Sequence, residues 1–199
     1  MNWNFENAAP VIGSITEGNA WDGKKMLYSN IAMNRILSYD PKTEHVSVWR
    51  NDTQGTNGLN FDSTGNLFGC AGNGRKIVRF DPNGDMSTIV DRLGGRRINS
   101  PNDLAITPSG SIYFSDRVGD VGPDVGIDHS SIISAEPQKD GSYETIRRTF
   151  DTTMPNGLLF SKDYKTLYVA QSDYRANEKR ELRAYPVNRD GSLGPYDVL

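Results

Sequence analysis

The chain has 199 residues, a formal net charge of −3, 36% hydrophobic residues and a single cysteine, Cys70. That length buries one sizeable core or two small ones, and the charge excludes the broad cationic field with which proteins hold nucleic acid or anionic membranes. No apolar run approaches the roughly 20 residues that cross a bilayer, and one cysteine excludes an internal disulfide.

The opening Met1-Asn2-Trp3-Asn4-Phe5-Glu6-Asn7 has no basic leader and no apolar stretch after it, so a cytoplasmic address is the expectation. From Thr16 onward, short β-branched and aromatic runs alternate with Gly, Asp, Asn and Pro turns, which are strand and hairpin signals. The first unit opens at Glu17-Gly18, turns at Asp22-Gly23, runs Met26 to Ser29 and Arg35 to Tyr39, turns at Asp40-Pro41, and returns from His45 to Trp49. The second opens at Asn57-Gly58-Leu59, turns at Asp62-Ser63-Thr64-Gly65, and continues as Leu67 to Cys70, Lys76 to Phe80 and Met86 to Val90. Cys70 ends an apolar run and reads as a buried structural thiol. The third opens at Asn99-Ser100-Pro101-Asn102-Asp103 and continues as Ile112 to Asp116, Ser131 to Ala135 and Tyr143 to Arg147. The fourth opens at Asn156-Gly157-Leu158 and continues as Thr166 to Ala170 and Glu181 to Tyr185. Tyr174 to Arg183 has helix-forming composition, but a charged loop feeding a strand explains it equally well.

Four strands per unit, with Glu17, Asn57, Asn102 and Asn156 separated by 40, 45 and 54 residues, is the pattern of β-propeller blades. A sandwich also has many short strands, but it need not repeat one internal order of turns. The chain is therefore expected to be all-β, a propeller with four four-stranded blades over about 14–50, 57–91, 102–148 and 156–199. In such a fold the first strand of each blade lines the axis, so the four anchors converge. One carboxylate and several amide oxygens suit a hard cation such as Ca²⁺. A single Asn-Gly before a strand is an ordinary turn; four polar anchors at matching repeat positions, one of them Glu, are not.

Other chemistries find little support. Gly72-Asn73-Gly74-Arg75-Lys76 is a turn rather than a phosphate cradle, lacking a third glycine and a helix. There is no Gly-x-Ser-x-Gly elbow. His45 and His129 lack zinc-site spacing. Asp116, Asp120, Asp124 and Asp128 do not fit an EF-hand loop, and the stretch from Asp116 to Ser130 reads as a solvated loop or a lid.

These residues resemble the regucalcin/gluconolactonase family (senescence-marker-protein type), which includes luciferin-regenerating enzymes. Glu17-Gly18 with Trp21 is similar to its Glu-Gly-Pro-x-Trp entry, with Asn19 in place of the proline. Asn57-Gly58-Leu59, Asn99-Ser100-Pro101-Asn102-Asp103, Tyr113-Phe114-Ser115-Asp116 and Pro155-Asn156-Gly157 follow in the family's order. The resemblance implies a six-bladed propeller with one axial divalent metal, Ca²⁺ or else Zn²⁺, that opens sugar lactones. It implies Glu17, Asn156 and Asn102 as metal ligands, Asp103 and Asn102 as catalytic groups, and Asn57, Asn102 and Asp116 as substrate contacts. It also implies a further carboxylate in a Pro-Asp-Gly motif of a fifth blade, which this sequence does not contain. Six blades need roughly 270 residues, so a missing segment or another chain is expected to complete the ring, unless it is smaller. A non-catalytic, Ca²⁺-binding or partner-binding propeller is the alternative reading.

Overall fold

A computed structural model describes residues 7, 9, 13–82, 85–118, 126–175 and 180–199. The described chain is all-β: four four-stranded antiparallel sheets, each ordered as a simple meander, plus one short hairpin. The only helical element among the described residues is a single 3-10 turn, Ile31–Met33. No helix among them is long and apolar enough to cross a membrane.

The first sheet is β1 (Thr16–Trp21), β2 (Met26–Asn30), β3 (Arg35–Asp40) and β4 (His45–Asn51). The second is β5 (Thr56–Phe61), β6 (Leu67–Ala71), β7 (Lys76–Phe80) and β8 (Met86–Val90). A hairpin of β9 (Arg92–Leu93) and β10 (Arg96–Arg97) follows, turned by Gly94 and Gly95 at φ +56 and +80; the sequence reading did not foresee it. The third sheet is β11 (Ser100–Ile106), β12 (Ile112–Arg117), β13 (Ser131–Pro137) and β14 (Tyr143–Arg147). The fourth is β15 (Pro155–Phe160), β16 (Thr166–Ser172), β17 (Arg180–Pro186) and β18 (Asp197–Val198).

Five of the turns at one end of the sheets share a device. In each of the five an aspartate accepts hydrogen bonds from backbone N–H groups two to four residues on. Asp22 accepts from Lys24 and Lys25, Asp62 from Thr64 and Asn66, Asp140 from Ser142, Asp163 from Lys165, and Asp190 from Ser192. The carboxylate satisfies donors the ladder leaves over, which is why Asp recurs at these reversals; at the β11–β12 turn the Thr107 hydroxyl accepts from Ser111 N instead.

Period-two alternation lets each sheet present two apolar faces, and the seams between sheets form three cores. Leu27 and Ile36 of the first sheet meet Leu59, Leu67, Val78 and Phe80 of the second. Phe68, Cys70 and Ile77 meet Leu104, Phe114 and Ile133 of the third. Ala105, Tyr113 and Ile132 meet Leu158, Leu167 and Val169 of the fourth. β6 is buried along its whole length because both its faces are covered. Cys70 is fully buried and free, and desolvation pushes its thiol pKa well up, as an inert thiol requires. By register, Leu159, Tyr168 and Leu182 stand where Ala105, Tyr113 and Ile132 stand in the third sheet. Yet Leu159 and Leu182 are 66% and 47% exposed. The fourth sheet thus shows to solvent the face that each earlier sheet buries against its successor.

The first strands pack side by side in sequence, β1 on β5, β5 on β11 and β11 on β15. Asp120 and Asp124 of the suggested lid lie outside the described residues, as does part of the Tyr174 to Arg183 segment.

Candidate functional site

All four first strands break register at the same place, their entry. The irregularities lie between Glu17 and Ala20, Thr56 and Leu59, Pro101 and Leu104, and Pro155 and Leu158. In three strands the displaced pair is Asn57-Gly58, Asn102-Asp103 or Asn156-Gly157; in the first it is Gly18-Asn19, directly after Glu17. A bulge re-aims side chains that a regular ladder would send to a seam. Here it turns polar groups toward the space the four strands share. That space is a cavity of about 310 Å³ lined by Glu17, Asn57, Asn102, Asp103 and Asn156, with Asn19 and Asn60 beside them. The sequence pattern pointed to the anchors; nothing in it singled out Asn19 and Asn60.

Close approach of the strands depends on glycine at two bulges. Gly18 adopts φ +56, and a Cβ there would lie 2.8 Å from Leu59 N. A Cβ on Gly58 would lie 2.6 Å from Asp103 Cα and nearer still to its Oδ1.

Asp103 is the best-anchored carboxylate of the site. Its N–H donates to Ser115 Oγ at 3.1 Å, and its Oδ2 accepts from Leu158 N at 3.2 Å, tying β11 to β15. Burial pushes its pKa up, hydrogen bonds from the Leu104 and Leu158 backbones oppose that, and the negative charge of Glu17 adds to the rise. Glu17 is exposed at the cavity rim, its backbone carbonyl accepting from Ser29 Oγ at 3.0 Å. Two carboxylates therefore face one hollow whose described lining holds no Lys, Arg or His.

Asp116 requires a correction. Expected as a substrate contact, it is fully buried and is not among the residues lining the cavity. Both its oxygens accept from Asn99 N at 3.0 Å. Asn99 in turn donates to Ile127 O at 2.8 Å and accepts from Gly126 N at 3.0 Å. Asp116 thus fastens the entry of β11 and the segment at Gly126 together. Burial raises its pKa from 3.8 to about 6 against those hydrogen bonds and the nearby Arg75 charge. With the folded pKa above the unfolded one, the native state binds the extra proton between those values, so this group adds stability as pH falls from above 6 toward 4. The difference is worth roughly 3 kcal/mol at ~1.4 kcal/mol per pH unit. Asp116→Asn removes that gain. The melting temperature of wild type relative to this variant is expected to rise between pH 7.5 and 4.5 in thermal scans; a constant difference would refute the buried, elevated carboxyl.

The histidines lie apart from the cavity: His45 is exposed at the start of β4, and His129 lines a separate groove. Among the described residues no three His, Cys, Asp or Glu side chains form a metal-binding cluster. The donors on hand are the oxygens of Glu17, Asp103 and five asparagines, a hard set.

A gluconolactonase of Zymomonas mobilis is 27% identical over 79% of this chain and 49% of its own length. Among solved structures, a Xanthomonas campestris gluconolactonase superposes with a TM-score of 0.80 at 33% identity, over 93% of this chain and 62% of that one. A calcium-binding protein, regucalcin, from Agrobacterium tumefaciens superposes at 0.68 with 19% identity, over 96% of this chain and 60% of that one, a likeness of fold. The chain thus spans about half the length of the curated relative it matches. The family model for the SMP-30/gluconolactonase/LRE-like region matches residues 15–198, and the chain belongs to that family.

Proposed function

We propose that the four sheets are successive blades of a β-propeller, over about 14–50, 57–91, 102–148 and 156–199, and that the shared cavity hydrolyses a sugar lactone. The observation that carries this is the convergence of Glu17, Asn57, Asn102, Asp103 and Asn156 on one hollow at the entries of four first strands. The resemblance implies six blades, and the open face of the fourth sheet is the surface that further blades, from more chain or another one, would cover.

The residues fit a divalent cation. Two carboxylates meet without a cationic side chain in the lining, and the charge of Glu17 raises the pKa of Asp103, a repulsion that a bound cation relieves. Glu17, Asn102 and Asn156 would hold it, and all-oxygen donors favour Ca²⁺ over Zn²⁺. When bound, it would supply Lewis-acid polarisation of the lactone carbonyl and lower the pKa of water. The chain's own groups do the rest. Asn57 and Asn102 present amide N–H donors that orient the sugar hydroxyls. The Asp103 carboxylate takes a proton from the attacking water as its oxygen bonds to the carbonyl carbon. Asp103 then returns the proton to the ring oxygen as the C–O bond breaks, leaving the open hydroxy acid. The Leu158 N–H, donating to Oδ2, holds the carboxylate in place.

Glucono-1,5-lactone hydrolysis, followed by acid release above the spontaneous rate, tests the reading. Activity is expected to vanish on chelation and return with Ca²⁺. Ca²⁺ at 100 times its dissociation constant is expected to raise the melting temperature by ~5–10 °C, the equivalent of about 2.7 kcal/mol. Chelator-resistant turnover would refute the metal role. A second reading, a Ca²⁺-binding propeller without turnover, is favoured by one observation: among the described residues only two carboxylates face the cavity. Metal binding with no hydrolysis of any lactone would establish it.

A further inference from the structure

By register Asn102 and Asp103 have no partner on β12: the ladder passes from Pro101 opposite Asp116 to Leu104 opposite Phe114. A bulge leaves the extra residue outside the ladder, and its N–H needs another acceptor. The β12 residue facing this gap is Ser115. It is fully buried, and its Oγ accepts from Asp103 N at 3.1 Å.

The same gap opens in the other sheets, and the residue facing it differs. Cys70 faces Asn57-Gly58, and Ala170 faces Asn156-Gly157. A thiol accepts weakly and a methyl group not at all, so these bulges form without a hydroxyl opposite them. In the first sheet Tyr28 faces Gly18-Asn19, while Ser29 pairs with Glu17 and donates from Oγ to Glu17 O at 3.0 Å. A second-strand serine thus braces the backbone of Glu17 and of Asp103, the two carboxylates of the cavity. Cys70 and Ala170 stand opposite the entries that bring only asparagine and glycine. The bulge itself does not require the hydroxyl; what sets the third sheet apart is the carboxylate.

Asp103 is held at two points, its N–H on β12 and its Oδ2 by Leu158 N of β15 at 3.2 Å. The second bond fixes the carboxylate only while the backbone that bears it stays in place. We propose that Ser115 is the positioning residue of Asp103, holding the bulge so that the carboxylate stays on Leu158 N and faces the cavity. This rests on the lactonase reading, in which that carboxylate takes the proton of the attacking water.

The test sets Ser115→Ala, Ser115→Cys and Ser115→Thr against wild type in steady-state kinetics on glucono-1,5-lactone and in amide hydrogen exchange by NMR. Ser115→Ala and Ser115→Cys are expected to lower kcat by roughly 10- to 100-fold, the scale of a misplaced reacting group, with KM changed less than about threefold. Ser115→Thr, which keeps the acceptor, is expected to retain kcat. In an Asp103→Ala background, Ser115→Ala is expected to cost nothing further, because residues acting as a unit are not additive. Exchange at Leu158 N–H, which lies in another sheet and reports the carboxylate, is expected to quicken at least about tenfold in Ser115→Ala and Ser115→Cys but not in Ser115→Thr. Wild-type kcat and an unchanged Leu158 amide in Ser115→Cys overturn the proposal. So does a loss in Ser115→Thr equal to that in Ser115→Ala, or an undiminished loss in the Asp103→Ala background. Should Ser115→Ala not fold, Ser115→Cys decides, since it keeps the volume and is what β6 carries at this place. Should wild type turn over no lactone, the lactonase reading fails alone, and the Leu158 amide still supports or refutes the positioning of Asp103.

Discussion

Glu17→Gln is expected to abolish the Ca²⁺-induced rise in melting temperature and to lower kcat/KM for glucono-1,5-lactone by about 10³-fold, the several kcal/mol that a catalytic cation contributes. The substitution keeps the side chain's length and one acceptor oxygen and removes only the charge. Glu17 is exposed at the rim, and its backbone carbonyl, not its carboxylate, accepts from Ser29 Oγ. The apo protein should therefore lose less than ~0.5 kcal/mol. Asn156→Ala, which removes a neutral donor, should cost activity less than Glu17→Gln. Calorimetric Ca²⁺ titration and steady-state kinetics on the same preparations decide the matter. A Glu17→Gln protein that binds Ca²⁺ with unchanged affinity would sink the assignment, whatever its activity.

Much of the architecture was legible because the physics behind it is local. Asp22, Asp62, Asp140, Asp163 and Asp190 mark reversals through hydrogen bonds spanning only a few residues, and period-two apolar runs mark the strands between them. The convergence of Asn57, Asn102 and Asn156 was legible for a different reason: a repeated unit places equal positions at equal points in space, and Glu17, one residue ahead of that position by register, reaches the same hollow. Asp116 shows where this stops. Tyr113-Phe114-Ser115-Asp116 reads as a strand ending on a carboxylate at the mouth. The direction of that carboxylate depends on pairing with Pro101 and Ser131 and on the approach of Asn99, contacts that no local pattern encodes. The β9–β10 hairpin was missed because two-residue strands carry no periodicity. The bulges were invisible as such; a register break is a property of two strands, and each Asn-Gly alone looks like a turn.

That last point yields a prediction in which identical motifs behave oppositely. Gly58 and Gly157 hold the same place in Asn57-Gly58-Leu59 and Asn156-Gly157-Leu158, and neither has a positive φ. A Cβ on Gly157 would find Asp103 Oδ2 at 3.7 Å, an ordinary contact. A Cβ on Gly58 would find Asp103 Cα at 2.6 Å and Asn102 O at 2.9 Å. Those are backbone-fixed atoms of the neighbouring strand, so no side-chain rotation relieves the clash. β5 and β11 must separate, at a cost of about 1–3 kcal/mol, and the displacement falls on Asn102 and Asp103. Gly58→Ala is therefore expected to lower the melting temperature by ~2–12 °C and to reduce kcat at least about 10²-fold, since a 1 Å misplacement of reacting groups costs that much. Gly157→Ala should be stable to within ~0.5 kcal/mol. Gly13→Ala, where a Cβ meets nothing within 4 Å, serves as the control. Parallel thermal scans and lactone kinetics on the three variants would show it; equal tolerance at Gly58 and Gly157 would mean that β5 and β11 do not approach as closely as the Asp103 contact requires.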